Sequence, residues 1–412
     1  MVNLNNKGFI ATSLIYSFFL VFLALLAVIL NSYVFNNRLM DAFNKSIQNK
    51  INKEIDMNSD DPSYILEDLE VLHITPNLNT PNFNNIATSD KGVFVSTDNK
   101  GKSYYYRGDV DDNYIIFGEH PDYEHVPLYW RIIRMNGDGS LRLIYEGYKV
   151  KNNLITDPYS TNRWSTVSTA TDYINSFEGS LKSFYEKFFL RTRFESMISD
   201  SGFCSTITST VQNPSSCTKT DGKIMCLGEE KSITEFSDYD RIYTFKNSPV
   251  GISPSYLCKE ENQYSVALQN GNGTLSYPIG LVSSNEVIMA GGAYAPSSAQ
   301  NLESYSNQDF YLYKGIGYWT MSLYYDNQPS GGGISTMSIN FLSNKIGGGD
   351  AGTNESGNRA FGFTQDGYLN SNTLDGLQLG IYPVINIKEE YISTLTGDGT
   401  IIDPFIGELN EE

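Results

Sequence analysis

Hydrophobic and polar positions along this chain fall into distinct regimes. Residues 9–35, FIATSLIYSFFLVFLALLAVILNSYVF, are almost wholly apolar. At about 1.5 Å per helical residue they exceed the roughly 20 positions needed to cross about 30 Å of hydrocarbon, which predicts one membrane helix. Beyond it Leu39, Phe43, Ile47, Ile51 and Ile55 recur four apart, the stripe of an amphipathic helical stalk over 36–57. Residues 58–90 are polar and punctuated by proline, and read as a linker ending in extended chain. Short β-rich runs then prevail, predicting a globular head over 91–390 and a C-terminal strand or tail over 391–412.

Inside the head, 92–96, 103–107 and 113–117 are strand-like runs separated by Asp, Asn and Gly. The strongest local signal follows them. Residues 129–135 (YWRIIRM) and 141–145 (LRLIY) flank Asn136-Gly137-Asp138-Gly139, which predicts a β-hairpin. The later ligands of an EF-hand loop are missing, so this segment is a turn. Tyr173, Phe177, Leu181, Phe184, Tyr185 and Phe188 then step by three and four, placing one or two helices within 164–198. Residues 275–282 read as extended entry to a short helix capped by Ser284 or Asn285 and ended by Gly291-Gly292. Strand patterns return at 318–322, 335–341, 361–363 and 380–387, around the glycine-rich loops 331–333 and 347–350. The fold class expected is α+β: a long N-terminal membrane helix and stalk, then a mainly antiparallel β head with a few helices.

Composition narrows the function. A net charge of −18 and a pI near 4.6 leave no basic patch to neutralise phosphates, so nucleic acid is not an expected partner. The 29 Tyr and 22 Phe sit mostly in strand-like runs and read as sheet faces. All four cysteines, Cys204, Cys217, Cys226 and Cys258, fall in a polar insertion over 200–260. No C-x-x-C pair and no histidine lies among them, so they read as two disulfides rather than a zinc site. Three connectivities are open, and proximity alone suggests Cys204–Cys217 with Cys226–Cys258. Such pairs require an oxidising face. Counted literally, Lys7 against Arg38, Lys45, Lys50 and Lys53 would put the head in the cytoplasm. The cysteines outweigh that count, and the head is expected to be extracytoplasmic on a single-pass membrane protein.

Catalytic constellations are thin. His120 and His125 flank Pro121 in GEHPDYEHVP at a spacing unlike the zincin pair, and read as a solvated loop. His73 falls in the linker. No nucleophile elbow or P-loop appears, and no metal, cofactor or catalytic residue is assigned. Loops on a rigid scaffold often carry recognition, and the Tyr, Asp and Asn of Tyr324, Tyr325, Asp326 and Asn327 make a candidate binding face.

Two resemblances add to this reading. Lys7-Gly8-Phe9 before the apolar run resembles the leader of type IV pilins and pseudopilins, making 1–8 a leader-like segment. The resemblance implies cleavage by a prepilin peptidase between Gly8 and Phe9, and assembly with other pilin-like subunits in the bilayer. Ser13 stands where most major pilins carry a glutamate, which bears on assembly rather than on processing. An uncleaved signal anchor is the alternative. In the head, WRII with its hairpin, YPIGLVSSNEV before AGG, YWTMS and GIYPVINIK resemble uncharacterised bacterial surface domains. The last part is similar to the C-type-lectin-like fold. The sugar-binding and formylglycine-generating sites of that fold do not transfer: Gln328-Pro329-Ser330 lacks the needed carboxylate, and no cysteine follows Cys258.

The function these observations imply is a membrane-anchored surface protein, either a pilin-like subunit or a displayed adhesive module for a surface ligand. It is not expected to be an enzyme. The alternative is a plain signal-anchored protein whose C-type-lectin-like head is enzymatic.

Overall fold

A computed structural model describes residues 63–408, apart from 124–125, 151–152, 163–169, 208, 268–270, 296–300, 302, 326–336, 339–358, 364–366 and 374–378. The expected leader, span and stalk, with Gly8 and Phe9, lie outside the described residues. Among those residues no helix is long and apolar enough to cross a membrane.

The first described element corrects the linker reading. Ser63–Val71 forms a helix, α1. Its end is marked by His73, in the left-handed conformation at φ 55°. Ile74 N–H donates to Leu69 O and His73 N–H to Glu70 O, the Schellman pattern, and Leu69, Leu72 and Ile74 are buried in the main core. Glycine is the usual residue at that position, so a histidine there hid the helix end.

The head is α+β and mostly strand. β1 (Gly92–Asp98) and β2 (Gly101–Arg107) form a hairpin. β3 (Tyr114–His120), β4 (Val126–Met135) and β5 (Leu141–Val150) follow, all antiparallel neighbours. The expected turn closes β4–β5 through Asn136 N–H to Ser140 O, at 2.8 Å. β2 and β3 share one edge of β4: β2 pairs only at Arg134–Met135, and β3 pairs from Arg131 back to Val126. That sharing, with two register shifts between β4 and β5, curls the sheet. β6 (Asn153–Ile155) extends the far edge of β5, and β7 (Ser160–Asn162) joins a second sheet.

Helix α2 (Ala170–Phe188) fits the three- and four-residue periodicity. Its face Phe177, Leu181, Phe184, Tyr185 and Phe188 is buried. Phe184 and Phe189 pack on Trp130, whose indole N–H donates to Phe117 O at 2.7 Å.

The insertion that follows starts at β8 (Phe203–Cys204) and contains a meander of β9 (Thr218–Thr220), β10 (Lys223–Cys226) and β11 (Glu229–Lys231). It has a small core of its own around Phe236 and Phe245. Helix α3 (Asp238–Ile242), β12 (Gln263–Ser265) and β13 (Gly273–Thr274) tie it to the head. Its disulfides are Cys204–Cys258 and Cys217–Cys226, which overturns the proximity pairing. The reason is register. Asp221 and Gly222 have φ of 50° and 79°, a two-residue turn of the I′ kind. It sets Thr220 against Lys223 and Thr218 against Met225, so the next step outward joins Cys217 to Cys226. Cys204 is instead paired across the ladder with Gln263, close in sequence to Cys258.

Helix α4 (Ser284–Ala290) is wholly buried. Its N-cap is Ser283, one residue earlier than expected, because Ser283 and Glu286 form a reciprocal capping box. Gly291 ends it at φ 121°, where a Cβ would lie 2.6 Å from that of Ala87. Arg107, fully buried, donates to the carbonyls of Ile288 and Met289 at the helix's C-terminal end.

In the second sheet, β14 (Tyr318–Tyr325) lies between β16 (Arg359–Phe363) and β18 (Leu379–Ile381), with β15 (Met337–Ser338) and β17 (Leu369–Thr373) beside them. β19 (Val384–Ile387) returns to pair with β5. After the short helix α5 (Glu389–Ile392), β20 (Leu395–Thr396) and β21 (Phe405–Gly407) complete the chain. The C-terminal segment is therefore part of the main sheet, because β21 pairs in parallel with β3.

Two outcomes follow for stability. Non-reducing peptide mapping should recover Cys204 linked to Cys258 and Cys217 to Cys226. Replacing the first pair by alanine should cost about 4 kcal/mol and the second about 3, because the closed loops differ in length. Asp68 is buried in α1, and burial with Glu389 and Glu67 beside it pushes its carboxyl up to about 7. Its folded value is raised above the unfolded 3.8, so this contribution to stability is complete below pH 4 and is lost as pH rises through 7. Asp68→Asn should then raise stability at pH 8 by on the order of 1–2 kcal/mol and change little at pH 4, read from thermal melts.

Candidate functional site

Across β4, β5 and β19 three polar side chains form a row. Arg134 lies directly opposite Arg142, and Arg142 opposite Asn386. Direct partners in an antiparallel ladder share one face, and like charges placed so repel each other. The missing anion comes from α4. Glu286 reaches over the row with Oε1 in contact with Arg142 Nε and 3.7 Å from Arg134 Nε. Its Oε2 accepts from Ser283 N–H at 2.7 Å.

Burial alone would raise the Glu286 carboxyl. Arg142, Arg134 and the Ser283 N–H outweigh it and hold the group below the ordinary glutamate range. Behind the row, Asn285 is held on both sides. Its Oδ1 accepts from Ser255 N–H, and its Nδ2 donates to Asp238 Oδ1 at 2.8 Å. Ser322 Oγ donates to the other Asp238 oxygen at 2.6 Å.

In front of the row lies a half-open cavity of about 90 Å³, room for a few waters or one small polar group. The β1–β2 turn (Asp98, Asn99, Lys100) forms one wall, and the Cys204–Cys258 disulfide with Ser255 and Tyr256 forms another. Asn99 fastens the two walls together by accepting from Cys258 N–H at 2.9 Å and donating to Cys258 O. Asp98 accepts from Lys100 and Gly137 N–H, holding the two hairpin turns side by side.

Several groups in this cavity are uncommitted. Arg134 stacks its guanidinium 4.0 Å over the Tyr256 ring, and its Nε and Nη1 make no hydrogen bond. Glu286 and Asp98 stand 3.7 and 3.8 Å away, within ionic reach but beyond hydrogen-bond distance. Asn386, 1% exposed, accepts at Oδ1 from Asn136 Nδ2 and Arg142 Nη1, which leaves its Nδ2 without a partner. Asn136, 5% exposed, gives Nδ2 to Ser140 and Asn386 and leaves Oδ1 unpaired. Buried polar groups are ordinarily paired. Their convergence on one cavity marks it as the candidate site.

The sequence landmarks meet here: WRIIR supplies Arg134, SSNE supplies Ser283, Asn285 and Glu286, and YPVIN supplies Asn386. Their chemistry was not expected from the sequence. The signals for it were the S-x-x-E capping box and two arginines equally spaced about the hairpin turn. Of the expected binding loop, Tyr324 and Tyr325 end β14, and Asp326 and Asn327 lie outside the described residues. His120 corrects the solvated-loop reading. It ends β3 and is buried among the rings of Tyr123, Tyr148 and Phe188, and burial, then Lys187, lowers its pKa. His125 lies outside the described residues. Among those residues, no group of three or more His, Cys, Asp or Glu could hold a metal.

Comparison with family models, with curated proteins and with solved structures finds no match to this chain.

Glu286→Gln should cost about 3–5 kcal/mol, because it leaves Arg142 buried without its anion and Arg134 with Asp98 alone. The depressed carboxyl contributes stability that is present above the unfolded value of 4.5 and lost as pH falls through the lower folded value. Urea titrations across pH 3–7 should show that acid limb in the native chain and a shallower one in the variant.

Proposed function

We propose that this chain is a membrane-anchored, extracytoplasmic surface protein with a pilin-like N-terminus, whose head is a displayed binding module. One observation carries the reading. A disulfide forms part of the wall of a cavity in which Arg134, Asn386 and Asn136 hold uncommitted hydrogen-bonding atoms. Disulfides persist in oxidising compartments, and unpaired polar atoms around a concave site suit recognition of a polar ligand. The apolar run over 9–35 supplies the anchor, and Gly8–Phe9 the cleavage site for a prepilin peptidase. The C-type-lectin-like resemblance of the head belongs to the same proposal.

Protein purified from its native membrane should begin at Phe9 by N-terminal peptide mass, and alkylation before lysis should find no free thiol. Protease applied to intact cells should release head peptides. A start at Met1 or Val2 would reduce the front end to a signal anchor. Free thiols with a protected head would overturn the extracytoplasmic placement.

A further inference from the structure

The uncommitted atoms of the cavity differ in kind, and that difference specifies a ligand. Two are N–H groups of a cation, Arg134 Nε and Nη1, and a third donor is Asn386 Nδ2, whereas Arg142 Nε is taken up by its contact with Glu286 Oε1. Among these buried atoms the acceptor is Asn136 Oδ1. Both amides have fixed orientations. Arg142 Nη1 requires an oxygen from Asn386, and Ser140 Oγ gives its proton to Asp138 at 2.6 Å, so Asn136 must present Nδ2 to it. Arg134 lies near the end of β4 and Asn136 just beyond it, at the start of the β4–β5 turn, and both line the cavity. Charge around the cavity is balanced: Arg134 and Arg142 face Asp98 and Glu286, and Lys100 pairs with Asp138.

We infer that this cavity binds a carboxylate bearing a hydrogen-bond donor on its neighbouring carbon, with Arg134 and Asn386 donating to the carboxylate and Asn136 accepting from the donor. The inference rests on the reading of the head as a binding module. A carboxylate brings one negative charge beside Glu286 and Asp98, whereas a phosphate dianion would bring two. Arginine suits a planar carboxylate, and charge-assisted bonds of this kind are the strong ones. About 90 Å³ admits the acid group and its neighbouring atoms, with the rest of the ligand outside. A 2-hydroxy acid and the C-terminus of a peptide both carry that unit.

The test uses the full chain in detergent micelles, titrated by calorimetry with glycolate, N-acetylglycine and N-acetylglycinamide. Binding by the acids with at least about tenfold preference for N-acetylglycine over its amide is expected, weakening with salt. The acid that binds most tightly identifies the source. Arg134→Gln should reduce acid binding by about tenfold or more, with its fold checked by melting. The acid–amide comparison stands without any variant, should that one not fold. Equal binding of acid and amide would overturn the carboxylate assignment and leave a binding module for neutral ligands. Heat from none of the three would overturn both the assignment and the reading of this cavity as a binding site.

Discussion

Everything around the cavity depends on one carboxylate placed between two arginines. β4 and β5 bring Arg134 and Arg142 face to face because their register is set by the turn between them. Buried like charges so close are tolerated only with an anion, and Glu286 is the one that reaches both. The hairpin therefore cannot close stably without α4, and α4 cannot bury its glutamate without the hairpin. Two elements far apart in the chain are coupled by that requirement.

The coupling extends through α4. Its first turn is fixed by the Ser283–Glu286 box and by Asn285 on Asp238, and its last carbonyls by Arg107 from β2. Asp238 belongs to the insertion and Ser322 to the second sheet, so one short helix joins three parts of the head. The disulfide Cys204–Cys258 then holds the loop with Tyr256 over Arg134. The arginine is clamped between ring and carboxylates while its Nε and Nη1 make no hydrogen bond.

Local features of the head were legible in the sequence wherever a turn or a period determined them. The β4–β5 hairpin followed from Asn136-Gly137-Asp138-Gly139, and the buried face of α2 from its spacing. Helix α1 was missed because it is short, lies in a polar stretch and ends on His73 rather than glycine. The disulfide pairing was missed because closeness in sequence was weighed and register was not, although Asp221-Gly222 was visible as a hairpin turn. The site itself was unreadable for a deeper reason. Arg134, Glu286 and Asn386 are each ordinary in their own segments, and only strand order brings them together.

Strand order has a further consequence, and it concerns time. β5 is flanked by β19 and β3 by β21, so the main sheet begun at residue 92 is completed only by residues 384–387 and 405–407. A chain emerging from the ribosome can make the β1–β2 hairpin early. It cannot complete the sheet, or bring Asn386 beside Arg142, until its last residues are free. The head thus remains an open, incompletely paired polypeptide until residues 384–387 and 405–407 have been made.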